Sequence, residues 1–396
     1  MDLETSPAAP VVASHRLRFT GDGGVYFGVW MVNVVLMVVT LGLFTPFARR
    51  RTIRYFYQHT DIAGSPLEFT GGIKRMVFGF LLFFGLYAAY SIASHTEQTF
   101  AVAALGTLWV VLSPWLWASA VRFRTVSTRW RGIRGEFHAG WRETYAASAP
   151  ILLFFLLAAA IGFGGSAIAK LKPSPWWILA GAIAAVVATL CLLVRQEYNY
   201  ARLRVLRTSF GGLQGRWDVE FGQLLKITVL AFGLFVAVIA ALLALLFLAV
   251  VATGAGLALF GGGRKEGAAL ALLITVAIFG SLLVFYLASG PALAWREARK
   301  FALVWNHTAL GDAARFTSDL QAGAFVRLRL KNMALSVLTG GFWRPFAITS
   351  EYAMKLQSVT LHVEGGLDQL VGRLAQRQPG GLGDAIADGV GFDVVG

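Results

Sequence analysis

Two distant segments of the chain carry the same polar and turn-forming residues at the same spacing. Segments 33–48 and 332–347 are identical at eight of sixteen positions without a gap. The recurring residues that could bind or turn are Asn33, Thr40, Gly42 and Pro46 in the first copy and Asn332, Thr339, Gly341 and Pro345 in the second. The asparagine and the threonine share one helical face, and in an apolar layer their polar groups need hydrogen-bond partners. Those partners could come from the other copy, from water or from a ligand, so these residues are candidates for helix pairing or ligand binding.

The glycine and the proline of each copy predict a break in the backbone. Glycine permits a turn or a close approach of helices, and proline removes a backbone donor and disturbs the turn before it. The uncharged stretch of the second copy covers only residues 332–343. As a helix it would reach about 18 Å, which is too short to cross a bilayer. We therefore expect two duplicated re-entrant or short apolar elements, although the first, in the longer uncharged run 25–48, could span instead.

Eight arginines at the ends of apolar runs form a second set of candidate residues. They are Arg49, Arg50, Arg51, Arg122, Arg124, Arg202, Arg204 and Arg299. Guanidinium groups at the depth of lipid headgroups attract anionic phospholipids. The set therefore predicts contacts with the headgroups of membrane lipids.

The sequence lacks the motifs that mark common catalytic and cofactor sites. It has no glycine-rich phosphate loop, no dinucleotide fingerprint and no HExxH, CxxC or GxSxG motif. Its six histidines are scattered singly, and its one cysteine, Cys191, lies inside an apolar run. We therefore expect no catalytic residue, no metal, no cofactor and no enzymatic activity.

The elements that must position the candidate residues are membrane helices. Hydrophobic residues make up 57% and charged residues 14% of the 396 residues, with a mean hydropathy of +0.64, which is typical of a membrane protein. Uncharged apolar runs cover residues 25–48, 76–93, 100–121, 146–169, 176–194, 227–263 and 268–295. A helix needs about 18 to 20 such residues to cross the hydrocarbon core. With the first run assigned to a duplicated element, the runs predict six transmembrane helices, or seven if that run also spans.

The basic residues are concentrated in alternate loops between these runs. The net charge is +14, and such alternation is the positive-inside pattern of membrane proteins. We therefore place the basic loops in the cytoplasm, together with both termini if the two duplicated elements are re-entrant. Nucleic-acid binding is not expected, because it would require basic patches with stacking aromatic residues on a soluble module.

The basic loops repeat a pattern of threonine, glycine and an aromatic residue. Its copies lie at 60–72, 128–140, 208–222, 308–319 and 360–366. Alternating apolar and polar residues around glycine favour tight β-hairpins, and a strand within 15–24 could pair with them. Irregular interfacial loops are the alternative, since isolated hairpins are only marginally stable in water. The predicted fold class is an all-α polytopic membrane protein with short cytoplasmic β-hairpin segments.

The order of these elements resembles that of a known family. Residues 20–72 contain Thr-Leu-Gly, a proline, an arginine-rich stretch, a threonine and Glu-Phe-Thr-Gly-Gly in that order. The pattern resembles the YjgN-like family of bacterial inner-membrane proteins of unknown function, and it implies a multi-pass protein of the bacterial inner (plasma) membrane. We expect a disordered N-terminus (1–14), a membrane domain (15–365) in which 15–72 and 308–365 are most alike, and a flexible Gly/Asp-rich tail (366–396).

Two functions remain open on the sequence. A channel or uncoupled transporter is favoured slightly, because broken duplicated elements resemble those at transport sites and because the predicted spans lack the charged residues of ion-coupled carriers. The alternative is a non-enzymatic envelope scaffold or lipid-interacting protein with a basic cytoplasmic face. A lipid-modifying enzyme is the weakest hypothesis, because no nucleophile or acid/base pair lies near the interface. The expected partners are anionic membrane lipids, and further copies of the chain or an unknown protein are possible partners as well.

Overall fold

The computed structural model describes residues 12–170, 174–260 and 266–377, which form two compact units. Among the described residues, unit 1 comprises 12–170, 174–221, 305–318 and 356–377, and unit 2 comprises 222–260, 266–304 and 319–355. Residues 1–11 and 378–396 of the predicted termini lie outside the described residues.

Twelve helices and eleven strands occur in the part of the chain that the structure describes. The helices are α1 (Gly23–Val39), α2 (Thr45–Gln58), α3 (Ile73–His95), α4 (Thr99–Val126), α5 (Trp141–Ala147), α6 (Ala149–Lys170), α7 (Pro175–Leu206), α8 (Phe221–Phe260), α9 (Glu266–Asn306), α10 (Ala322–Leu338), α11 (Arg344–Gln357) and α12 (Leu367–Arg377). The strands are β1 (Val12–Arg16), β2 (Arg18–Phe19), β3 (Thr60–Ile62), β4 (Ser65–Phe69), β5 (Thr128–Trp130), β6 (Ile133–Phe137), β7 (Thr208–Phe210), β8 (Leu213–Trp217), β9 (Thr308–Leu310), β10 (Ala314–Ser318) and β11 (Val359–Glu364).

Four of the predicted hairpins form, and their turns explain the glycines of the repeated pattern. In the β3–β4 turn, Ala63 and Gly64 have φ of 51° and 79°, and in the β5–β6 turn Arg131 and Gly132 have φ of 51° and 80°. Two successive residues with positive φ are typical of the tight turn whose twist matches that of paired strands. Glycine tolerates this conformation because it has no Cβ.

The hairpins join into one antiparallel sheet, which the prediction of an all-α fold missed. All eleven strands belong to it, in the order β1-β11-β10-β9-β8-β7-β6-β5-β4-β3-β2, and all lie in unit 1. Its two edge strands, β1 and β2, are separated in the chain only by Leu17, whose amide donates to the carbonyl of Val359 at 2.9 Å. The sheet therefore nearly closes on itself. The all-α prediction was wrong because pairing between hairpins satisfies the strand edges that would otherwise be exposed.

The pairing register explains the spacing of threonine and aromatic residue in the repeated pattern. The aromatic residue that ends one strand faces the threonine that begins the next hairpin. The facing pairs are Phe19 with Thr60, Phe69 with Thr128, Phe137 with Thr208, and Trp217 with Thr308. The repeated pattern is thus a pairing register as well as a hairpin signal.

Five helices of the described residues are long and apolar enough to cross a membrane, and not the predicted six or seven. The candidate spans are Ile73–His95, Thr99–Val126, Pro175–Leu206, Phe221–Ala249 and Ile278–Asn306. Most of the run 146–169 lies in α6, which meets the preceding helix α5 at a bend of 54°, so this pair is a broken span or a re-entrant element rather than a sixth straight span. The buried Pro150 follows this break, and proline lacks the backbone donor that a continuous helix requires. The 17-residue helix α1 is not among the candidate spans.

The predicted C-terminal tail begins with a helix that packs in unit 1. The side chains of Leu370 and Leu374 in α12 are buried. A Cβ at Gly211, in the β7–β8 turn, would lie 2.5 Å from the backbone oxygen of Leu374. The close approach of α12 to this turn therefore requires glycine at position 211.

Unit 2 contains α10 and most of α8, α9 and α11, and small residues bring its helices together. The ring of Phe325 is fully buried in a cluster with Ala294, Ala298 and Ala322. Small side chains allow helix backbones to approach closely. The cluster places α10 against the last part of α9.

Candidate functional site

The two copies of the repeated segment form the same turn between two helices. In the first copy the Thr40 hydroxyl donates to the Leu36 carbonyl at 2.7 Å and accepts the Phe44 amide at 3.0 Å. In the second, Thr339 makes the corresponding bonds at 2.7 and 2.9 Å. The threonine thus links the end of one helix to the start of the next.

The glycine and the proline of each copy also have matching positions. Gly42 and Gly341 have φ of 88° and 94°, in the left-handed region that favours glycine. Pro46 and Pro345 are buried and lie in the first turns of α2 and α11, where a missing amide donor is tolerated. These four residues therefore turn the chain and begin the return helix.

Each asparagine finds a hydrogen-bond partner inside its own copy. The side-chain amide of Asn33 donates to the Ala48 carbonyl at 3.3 Å, and that of Asn332 donates to the Ala347 carbonyl at 3.4 Å. Both asparagines are 3% exposed. This geometry pairs the two helices of each copy, and whether the residues also bind a ligand stays a prediction.

In unit 2, Asn332 is part of a larger polar network. Its amide also donates to Glu351 at 3.1 Å, and its oxygen accepts the indole N–H of Trp343 at 3.3 Å. Arg329 pairs with Glu351 at 2.8 Å and with Glu297 at 2.7 Å. Lys355 pairs with Glu297 at 2.6 Å. These contacts balance acidic and basic side chains and join α9, α10 and α11.

Among the described residues, the first copy has no corresponding network around its asparagine, and its return helix carries arginines instead. The side-chain oxygen of Asn33 is buried without a hydrogen-bond partner in the described part of the chain. The residue that corresponds to Trp343 is Phe44, which has no donor. Arg49, Arg50 and Arg51 follow on α2.

The structure places the predicted headgroup arginines in different settings. Arg122 donates to the Ala139 carbonyl at 3.3 Å, and Arg299 of unit 2 lies over the ring of Trp295 at 5.6 Å. The Nε of Arg50 is buried without a partner among the described residues, whereas Arg51 is exposed. The remaining arginines, Arg49, Arg124, Arg202 and Arg204, are exposed and have no acidic partner among the described residues.

A polar cleft of about 550 Å³ opens beside the basic end of α7 in unit 1. It lies between α5, α7 and β8, and we call it the α7 cleft. It is lined by Glu143, Ala146, Ala147, Arg195, Asn199, Arg202, Leu203, Leu206, Arg207, Gln214 and Gly215. Glu143 is paired with Arg207, whose Nε donates to it at 3.0 Å. Arg195 and Arg202 have no acidic partner in the described residues.

The positions of Arg195 and Asn199 are held by neighbouring groups. The Arg195 guanidinium lies 4.9 Å from the ring centre of Phe221 and 5.5 Å from that of Tyr198. The Tyr198 hydroxyl in turn donates to the Val219 carbonyl at 3.0 Å. Asn199 donates to the Ala147 carbonyl at 3.0 Å. The cleft is therefore organised before any ligand enters.

Sequence reasoning identified Arg202 but missed the rest of the cleft. Arg195, Asn199 and Arg202 lie four and three residues apart, so one helical face carries all three. That spacing could have predicted from the sequence that the three side chains lie together. The contribution of α5 and β8 had no such signal, because Glu143 and Gly215 approach α7 only through the tertiary fold.

Comparison with known families matches residues 14–389 to a family described as bacterial protein of unknown function (DUF898). The chain belongs to this family. It is also similar to inner membrane protein YjgN of Escherichia coli (strain K12), with 30% identity over 159 residues, and of Salmonella typhimurium, with 26% identity over 147 residues. These matches cover 39% and 36% of the chain and 37% of each relative. No solved structure gives a significant match.

These similarities confirm the resemblance to the YjgN-like family. Together with five helices that can cross a membrane, they confirm that the protein is a multi-pass protein of the bacterial inner membrane. The matched segments cover little more than a third of the curated relatives, and their names state a location but no activity.

Proposed function

We propose that this inner-membrane protein binds anionic phospholipids, without catalysis, through the headgroup at the α7 cleft. The observation that carries the proposal is the pair of guanidinium groups, Arg195 and Arg202, that line the cleft without an acidic partner among the described residues. Guanidinium groups bind phosphate through charge-assisted and often bidentate hydrogen bonds.

The position of Arg195 along α7 supports a lipid ligand. Arg195 is the first charged residue after the apolar stretch 176–194 of this candidate span. The interface between hydrocarbon and water lies where such a stretch ends, and lipid phosphates lie at that depth. A phosphate bound at Arg195 would leave Asn199 and Arg202, about 6 and 10 Å further along the helix, for polar groups of the headgroup.

The transport hypothesis depends on different residues. It was motivated by the glycine and proline of the duplicated segment, and these residues turn the chain between two paired helices in each copy. No contact among the described residues favours a solute path over such a local turn. Transport therefore stays a sequence-based prediction, and lipid binding is the function that the site geometry supports best.

The test measures binding of a short-chain phosphatidylglycerol to the full chain in neutral detergent micelles, by native mass spectrometry and thermal stabilisation. The double variant Arg195→Gln with Arg202→Gln removes both unpaired charges of the cleft. A charge-assisted hydrogen bond contributes about 1.5 to 3 kcal/mol, so we expect binding at least about tenfold weaker. Phosphatidylcholine should bind more weakly to the unmodified protein than phosphatidylglycerol does.

The matched control is Arg54→Gln with Arg327→Gln, which removes the same charge from two exposed positions outside the cleft. This variant should bind phosphatidylglycerol like the unmodified protein. An equal loss in both double variants would mean that net charge alone attracts the lipid, and unchanged binding in the cleft variant would refute the proposed site.

A further inference from the structure

Three exposed arginines lie on three neighbouring helices of unit 1, away from the α7 cleft. They are Arg49 of α2, Arg124 of α4 and Arg204 of α7, and we call them the arginine triad. The helices α4 and α7 pack through Trp117 and Tyr200, whose stacked rings lie 3.9 Å apart. Arg124 lies two turns after Trp117 and Arg204 about one turn after Tyr200, each on the same helical face as its aromatic residue.

Helix α2, which carries Arg49, also contacts the end of α4. The Tyr57 hydroxyl, at the end of α2, is 3.1 Å from the hydroxyl of Thr128, just after α4. The positive charge of Arg124 acts electrostatically on both Arg49 and Arg204. Partial burial, together with the charge of Arg124, lowers the pKa of Arg49 below its ordinary value.

No acidic side chain among the described residues pairs with any member of the triad. Like charges held close together destabilise a fold unless a counter-charge compensates them. All three residues remain exposed, so a ligand can reach them. A phosphate group that contacts all three guanidinium groups would supply the counter-charge that the side chains lack.

The repeats indicate that the fold does not require arginine at these positions. The residue of the second copy that corresponds to Arg49 is Ile348. Arg124 and Arg204 each lie four residues before the threonine that begins a hairpin, and in α2 and α9 this position is Phe56 and Val304. An apolar residue occupies the same helical position in the other repeats, so this position can be filled without arginine.

The triad is separate from the α7 cleft. Arg202 lines the cleft and Arg204 belongs to the triad, and two residues along a helix point about 200° apart. We propose that Arg49, Arg124 and Arg204 form a second binding site, for a phosphate group that carries at least two negative charges. The group could belong to a lipid headgroup or to a soluble phosphate ester, since both present the same oxygens to guanidinium groups.

The experiment uses the full chain and separates the two sources. In the soluble arm, inorganic pyrophosphate is titrated by calorimetry into protein in neutral detergent. In the lipid arm, the protein is reconstituted into phosphatidylcholine nanodiscs with or without a phosphatidylinositol phosphate, and its thermal stabilisation is measured. The variant Arg124→Gln removes the central charge, and Arg54→Gln on α2 is the control of equal charge.

We expect Arg124→Gln to weaken binding at least about tenfold in one of the two arms, and Arg54→Gln to change it less than about twofold. The arm that responds identifies the source of the phosphate. The variant Arg124→Lys keeps the charge but loses the planar fork, and it should bind with intermediate affinity. If Arg124→Gln does not purify, Arg124→Lys is measured in its place, because it keeps the charge at this position.

The α7-cleft variant distinguishes this site from the proposed function. Arg195→Gln with Arg202→Gln should leave binding at the triad unchanged, and Arg124→Gln should leave phosphatidylglycerol binding at the cleft unchanged. Binding that is insensitive to Arg124 in both arms, or that falls equally in Arg54→Gln, would overturn the triad as a site.

Discussion

The two copies of the repeated segment have the same backbone but different chemistry. In the first copy a 17-residue helix, α1, is followed by a turn and the 14-residue helix α2. In the second copy α10 and α11 have the same two lengths. The residues that the copies share are those that make the turn and the bond between asparagine and the return helix. Identity between the copies therefore marks the residues that build the helical hairpin.

The residues that differ between the copies determine which polar and charged side chains have partners. In the second copy Glu351 and Trp343 satisfy Asn332, and nearby acidic and basic side chains pair with one another. In the first copy the corresponding positions are Thr52 and Phe44. The first copy instead carries arginines without acidic partners among the described residues, Arg49 among them. The comparison teaches that the same helical hairpin occurs in both copies, and that the second copy adds a network of paired acidic and basic side chains that the first copy lacks among the described residues.

The largest loss of stability is expected from a substitution that breaks the ion-pair network of the second copy. Arg329→Met leaves Glu297 and Glu351 without their shared partner. The side chains of this network are only partly buried, so the loss should destabilise the protein by about 2 to 3 kcal/mol, which is less than for a fully buried pair. The free energy of unfolding, measured by titration with sodium dodecyl sulfate in mixed micelles, should fall accordingly. Arg327→Met, two residues away on the exposed face of α10, is the control and should change it little. Equal effects of the two substitutions would show that the network contributes no specific stability.

The next largest loss of stability is expected from substitutions that test whether the two copies form the same turn. Gly42→Ala and Gly341→Ala each force a Cβ into the left-handed region, which costs about 1 to 2 kcal/mol, and neither Cβ would meet another atom within 4 Å. The two losses in unfolding free energy should therefore be equal. Gly28→Ala, inside α1 and also without a close neighbour, should instead stabilise by about 0.5 to 1 kcal/mol. A loss in only one copy would contradict the common turn.

The smallest change in stability is expected from exchanging the residue that donates to the asparagine, which is Trp343 in the second copy and is replaced by Phe44 in the first. Trp343→Phe leaves the buried oxygen of Asn332 without its indole donor and should cost about 1 kcal/mol of unfolding free energy. Phe44→Trp offers the same donor to the unpartnered oxygen of Asn33 and should stabilise by up to about 1 kcal/mol. In an Asn33→Leu background the gain should disappear, because the two positions act through one bond. A gain that persists there would come from packing of the larger ring.

The sequence by itself determined the features that depend on neighbours along the chain. Long uncharged runs identified a multi-pass membrane protein, although they overcounted its spans, and glycine between alternating residues identified four hairpins. Both signals are local, because helix and strand periodicity depend on neighbours along the chain. The repeated asparagine, threonine, glycine and proline predicted a broken element in each copy, and Gly42 and Gly341 turn the chain as expected. The arginines Arg49, Arg124 and Arg204 were identified by their places at the ends of apolar runs.

Only the tertiary structure decided which of these local features meet. The sheet closes because β1 near the N-terminus pairs with β11, whose residue Leu361 faces His15. Pairing over such a separation leaves no periodic signal in the sequence. The α7 cleft likewise needs Glu143 and Gly215 beside Arg195, and the triad needs three helices that are far apart along the chain. Local periodicity specifies elements, whereas burial and edge pairing select their partners, and those choices depend on the whole chain at once.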